Sequence, residues 1–255
     1  MGTAFTDRWG VPVRSGSAAA VAKLDEAIED LAALAGDPVA DAEAAIAADD
    51  SLVLGHIYRA YLALYGTTPE GLATAGEIVK KLDESVLGER EAHHLRAARS
   101  WAAGDWEATV RSLERALLCH PRDLLALKVA QDLYFFLGNR LELRDVAARV
   151  LPAWPRGRPG WGYVQGIYAF GLEENADYRQ AARPGGQHPG RHVAQLEPVA
   201  QEEIQVLGHL ERQQIPRVTQ QRPLERADGS LPIAGRPGPG RTQVVGFPLI
   251  RDRLV

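Results

Sequence analysis

The sequence predicts an all-α fold: a solenoid of stacked helical hairpins with a disordered or irregular C-terminal tail. Three observations carry the prediction. Gly104-Asp105-Trp106 and Gly138-Asn139-Arg140 lie 34 residues apart, and Pro121 and Pro155 keep the same step. Between these markers run segments of good helix formers free of Gly and Pro, such as EREAHHLRAARSWAA. Composition then changes abruptly near residue 180.

A period of 34 residues with two markers in step is that of tetratricopeptide-like repeats, in which each hairpin buries its apolar face only by stacking on a neighbour. Gly104 supplies a left-handed stop and Asp105 the cap of the next helix. WEATVRSLERALLC then places Trp106, Val110, Leu113, Ala116 and Leu117 on one face. Pro121 closes it, because proline lacks the amide that a continuing helix needs. DLLALKVAQDLYFFL, Gly138, LELRDVAARVL and Pro155 repeat the scheme. Upstream, SAAAVAKLDEAIEDLAALA, Gly36-Asp37-Pro38 and VADAEAAIAADD form one hairpin, with Pro38 at a tolerated first-turn position. SLVLGHIYRAYLALYG, a Thr67-Thr68-Pro69 cap and EGLATAGEIVKKLDESV form another. Downstream, WGYVQGIYAFGLEEN is a helix, and Ala176-Asp177-Tyr178 takes the place of Gly-Asp-Trp. The reading is five hairpins, the fifth incomplete. Residues 1–15 are an N-terminal arm, 16–182 the repeat domain and 183–255 a low-complexity tail rich in Pro, Gly, Gln and Arg.

The phrases HPRDLLALKVAQDLYFFLG (120–138), VAARVLPAW (146–154) and YVQGIYAFGLEENADY (163–178) resemble the tetratricopeptide repeat protein 38 family and its bacterial members. DRWGVPVRSGSAAAV and LVLGHIYRA (52–60) are similar to it as well, so the resemblance runs from residue 7 to about 182. It implies a helical-repeat protein without an established biochemical activity, and the fold expected over residues 16–182 is a right-handed superhelix of such hairpins. In that family the hairpin after the Asp-Tyr turn is completed by an Ala-rich helix, an Asn-Pro turn, a His- and Trp-rich stretch and further repeats, none of which is visible in this chain.

Residues 1–178 hold 18 Lys and Arg against 26 Asp and Glu, and 16 of the 17 aromatic residues. Residues 179–255 hold 11 basic against 7 acidic residues, 9 of the 16 prolines and a single aromatic, Phe247. Such a segment cannot bury enough apolar surface to fold, so one reading is a divergent, disordered tail. The reading preferred is translation in a shifted frame from about residue 183, since a GC-rich gene encoding Ala, Leu and Glu in one frame yields Arg, Pro and Gly in another. The interruption at Pro184-Gly185-Gly186 would leave Tyr163, Ile167 and Phe170 without a complete partner helix and expose an apolar patch.

The lone Cys119 excludes an internal disulfide, and no secretory signal or membrane-spanning apolar run is present, so a cytoplasmic protein without a membrane partner is expected. The acidic balance of the first part argues against nucleic acid. Arg156-Gly157-Arg158-Pro159 matches the core of a minor-groove hook, but without the flanking positive charge that phosphate binding requires it reads as a loop between repeats. Glu91 and His94 form a Glu-x-x-His pair of the kind used twice in di-iron bundles; with no second copy it reads as a polar helix face, and no metal or cofactor is expected. Cys119-His120 lacks a visible orienting acid, so no catalytic residue is assigned.

A groove remains. In a tetratricopeptide stack the first helices line the concave surface, and the spacing puts His94, Ala98 and Trp101 on one stripe and Lys128, Asp132 and Phe135 on the next. An aromatic surface with a basic group suits an extended peptide carrying an acidic residue. Lys128 matches the lysine of the carboxylate-clamp type of repeat, although Asp132 stands where that clamp has Asn. Alternatively these residues solvate the groove and pack on its neighbours. The functional expectation is a scaffold for a protein or peptide partner; the alternative is a fragment of an enzyme whose catalytic or metal-binding residues lie in a missing C-terminal half.

Overall fold

The computed structural model describes residues 3–181; the expectations for the segment from 183 onward, disordered or frameshifted, lie outside these residues. Within them the fold is all-α with repeated helical hairpins, as the periodicity requires. α1 (Ala18–Ala33) pairs with α2 (Pro38–Ala48), α3 (Val53–Tyr65) with α4 (Pro69–Lys80), α5 (Glu89–Ala102) with α6 (Trp106–Cys119), α7 (Leu124–Phe136) with α8 (Arg140–Val150), and α9 (Trp161–Glu174) with the short α10 (Tyr178–Ala181).

The helix ends follow local chemistry. Gly104 and Gly138 adopt positive φ, at 75° and 70°, which stops the preceding helix without strain, and Gly36, two residues past the cap of α1, has φ 68°. Asp37, Thr68 and Asp105 then cap the following helices by accepting from the backbone N–H of Ala40, Gly71 and Ala108. Pro38 and Pro69 occupy the first turn, where no donor is missed.

Three turns depart from this economy, at Leu34, Thr67 and Ala176. Leu34, not a glycine, closes α1 in the left-handed region at φ 51°, with its side chain 61% exposed. A side chain there costs about 1–2 kcal/mol, and exposure means that nothing in the core compensates. Leu34→Gly is therefore expected to stabilise the fold by about 0.5–1 kcal/mol after the larger entropy of the unfolded glycine is subtracted, read as a raised urea midpoint. An unchanged or lower midpoint would show that the turn is not strained.

Each hairpin stacks on the next through α2 and α3, α4 and α5, α6 and α7, and α8 and α9. The first helices also pack on one another: α3 on α5, α7 on α9, and α1 on α7. That inward closure matches their sequences. α3 and α7 are apolar nearly all round, and both bury residues on every face, the pattern of an internal helix rather than a surface one.

The N-terminal arm is packed on the helices. Thr3–Thr6 (β1) and Pro12–Ser15 (β2) form an antiparallel hairpin whose β2 lies against α1, α3 and α5. Trp9, Val11 and Val13 are buried in it. Alternation of Val11 and Val13 with Pro12 and Arg14 is the period-two pattern of a half-buried strand, too short to outweigh the helical context when the sequence is read alone.

Two expectations about apolar surface change. Trp106 stands half-exposed at the start of α6, where Thr109 instead takes the buried position of that turn. In the last hairpin, Ile167 is buried, while Tyr163 and Phe170 are half-buried. α8 and α7 pack on α9, and Phe170 rests on Phe135 with ring centroids 5.3 Å apart, so among the described residues that face is covered from this side.

Candidate functional site

The two stripes expected to line a groove are packed instead. His94 and Trp101 are 0% and 1% exposed and present no surface to a peptide. The reason is the lateral packing of α3 on α5: Tyr61 stands edge-on to His94 at 5.9 Å, and Tyr65 stands edge-on to Trp101 at 5.2 Å. Lys128 is buried as well, and its ammonium donates to Asp132 at 2.8 Å, while Asp132 also accepts from the Tyr65 hydroxyl at 2.6 Å. The cation that would meet a carboxylate is thus already paired one turn along its own helix. Phe135 alone of the five is open to solvent, at 44%.

Behind those stripes lies a buried polar network. The Arg90 guanidinium donates through Nε and Nη2 to both oxygens of Asp123, at 2.8 and 3.0 Å, and through Nη1 to Asp7 at 2.8 Å. Asp123 caps α7 by accepting from the Ala126 N–H, and it also meets Nε2 of His94 at 2.9 Å. A carboxylate only accepts, so that imidazole nitrogen carries the hydrogen. The Tyr61 hydroxyl donates to the His94 backbone carbonyl at 3.0 Å and lies 3.1 Å from Nδ1. Asp7 in turn accepts from the N–H groups of Trp9 and Val11, which fixes the β1–β2 turn. Burial alone would raise the Asp123 carboxyl, but Arg90 and then His94 outweigh it and hold the group well below the usual carboxylate range. With every member shut from water, this constellation ties the arm to α3, α5 and α7; it has no open position for a substrate.

Glu91 and His94, the Glu-x-x-His pair of the sequence, are both consumed here: Glu91 accepts from the Arg14 N–H at 2.9 Å in the arm, and His94 holds Asp123. The neighbouring residues behave differently. Glu89 and His93, one turn apart on α5, meet Cys119 at the end of α6, and one ligand atom from each of the three lies within 4.8 Å of the other two. Glu89 Oε1 accepts from Cys119 Sγ at 3.4 Å, and Glu89 Oε2 is 3.9 Å from His120 Nε2. Burial lowers the His93 pKa below its ordinary value and, with Glu89, raises that of Cys119. The signal for this group existed in the sequence, since an antiparallel hairpin returns the end of its second helix to the start of its first.

A third feature runs along the turn edge of the stack. Trp106, Trp101, Tyr65, Phe136, Phe135 and Phe170 form a continuous row of ring contacts with centroid separations between 5.2 and 6.4 Å. Trp106, Phe135 and Phe136 in this row are partly open to solvent, and Leu137 and Leu141 extend the apolar surface into the first turn of α8. Aromatic side chains bury large areas at little entropic cost, which makes such a row suited to binding another protein. Among the described residues no helix is long and apolar enough to cross a membrane. No family model and no solved structure matches the chain.

Proposed function

We propose that the chain is a tetratricopeptide-type interaction scaffold, a cytoplasmic protein related to the tetratricopeptide repeat protein 38 family, and that it engages its protein partner through the turn edge rather than through a concave groove. The observation that carries this reading is the aromatic row from Trp106 to Phe170, with Phe135, Phe136, Leu137 and Leu141 standing on its open side. Monomeric proteins rarely leave contiguous aromatic and aliphatic side chains uncovered without a use for them. The rigid stack holds these groups in place, so a partner does not have to order them on binding. The matching surface is an apolar segment of another protein.

Immobilised full-length chain should retain a defined set of proteins from a cell extract, and a Phe135→Ser, Leu141→Ser variant should retain them at least about tenfold less, since truncating anchor residues at the centre of an interface costs more than about 1 kcal/mol each. Leu118→Ser, which removes a more exposed leucine at the other end of α6, should leave the set unchanged. Identical profiles for all three proteins would remove the proposal.

A further inference from the structure

We propose that Glu89, His93 and Cys119 form a binding site for a zinc-type divalent ion at the open end of the third hairpin. Nothing in this assignment depends on the scaffold reading. Glu89 and His93 project from the first two turns of α5, and Cys119 is the last residue of α6, so the antiparallel pairing of the two helices brings all three donors together. Tetrahedral zinc with bonds of about 2.3 Å to sulfur and about 2.0 Å to carboxylate oxygen sets those two donors about 3.5 Å apart. Cys119 Sγ and Glu89 Oε1 stand at 3.4 Å, so these two side chains already hold the separation the ion needs.

Donor chemistry selects the ion. A thiolate, an imidazole and one carboxylate favour zinc and its neighbours in the transition series, whereas magnesium and calcium demand oxygen ligands throughout. His93 supplies a second, independent observation. Its side chain is 9% exposed, and its Nδ1 is shut from solvent without a hydrogen-bond partner. A buried ring nitrogen left unpaired costs about 1–3 kcal/mol, so a ligand that engages this imidazole recovers free energy the apo fold forgoes. His120 Nε2 lies 3.9 Å from Glu89 Oε2. The surroundings limit the affinity. Arg96 and Arg115 both act on His93 as positive charges, which offsets the thiolate and carboxylate and weakens binding relative to a four-ligand structural zinc.

The test uses the full-length chain, stripped with a chelator and titrated with Co²⁺ and Zn²⁺ as probes. One Co²⁺ per chain should bind with the visible absorption of tetrahedral cobalt and a near-ultraviolet thiolate-to-cobalt band. Cys119→Ser should abolish that band, and His93→Gln should weaken binding at least tenfold. Zn²⁺ should slow alkylation of Cys119 in the wild-type chain at least tenfold, a readout that needs no variant and is therefore independent of any effect of His93→Gln on folding. Absence of the thiolate band, or unaltered alkylation in saturating Zn²⁺, overturns the proposal. So does metal binding that is equal in wild type and both variants, which would place the ion on histidines elsewhere in the chain.

Discussion

Arg90→Met is expected to lower the stability of the fold by about 3–5 kcal/mol, the cost of leaving buried charge without its partner. Asp123 would lose both of its guanidinium contacts and Asp7 its single one, in surroundings where neither carboxylate meets water. Methionine fills the volume of the arginine stem, so the loss reports the charge network rather than a cavity. Urea unfolding at neutral pH should show a lower midpoint at an unchanged slope, because the surface exposed on unfolding is the same. Two further consequences separate this network from an ordinary surface ion pair. High salt should not reproduce the loss, since buried charges are screened little. The β1–β2 hairpin, tied to α5 through Asp7, should become the first protease-sensitive segment of the variant. A loss below about 1 kcal/mol would mean that the network contributes no more than a surface pair does.

The second large effect is on pH dependence. In an unfolded chain Asp25 titrates near 3.9. In the fold it is buried on α1, where desolvation outweighs the N–H donated by Arg8 and raises its pKa to about 7. Between those two values the native state binds more protons than the unfolded state, so the contribution of Asp25 to stability is complete below about pH 4 and is lost as the pH rises through about 7. Asp123 acts in the opposite sense. Its folded pKa is depressed, so its contribution is present above the unfolded value of about 4 and disappears as the pH falls below it. Together the two groups place the stability maximum at about pH 4, where their limbs meet at the unfolded carboxyl pKa. Asp25→Asn keeps an oxygen to accept from Arg8 and removes the charge. It should flatten the alkaline limb and exceed the wild type at pH 8 by about 2–4 kcal/mol in denaturant unfolding. Superimposable pH profiles for variant and wild type between pH 4 and 8 would show that Asp25 does not titrate as its burial requires.

Much of the architecture was legible in the sequence because its signals are local. Gly104 and Gly138 mark turns by the backbone geometry that only glycine adopts cheaply, and Asp37, Thr68 and Asp105 mark helix starts by satisfying orphaned N–H groups within three residues. α6 runs from Trp106 to Cys119, the segment that its apolar spacing delimits. Such features need no knowledge of what lies across the fold.

The site was legible only in part, and the failures share one cause. Helical periodicity says which residues share a face, not what that face meets. The stripe of His94, Ala98 and Trp101 is real, but it packs against Tyr61 and Tyr65 of α3 instead of facing a groove. Glu91 and His94 show the correct spacing for a ligand pair, yet Arg14 of the arm and Asp123 of α7 claim them from 77 and 29 residues away. Glu89 and His93 carry a weaker pattern and acquire a third donor only because α6 brings Cys119 back beside them.

The sequence by itself determined the hairpins, their number among the described residues and their turn chemistry, since each rests on hydrogen bonds and backbone conformations settled within a few residues. Only the tertiary structure decided which polar groups are buried, which are paired and which remain open. Those outcomes depend on distances between segments far apart in the chain and on the exclusion of water when α1, α3, α5 and α7 close on one another, a cooperative event that no local pattern encodes.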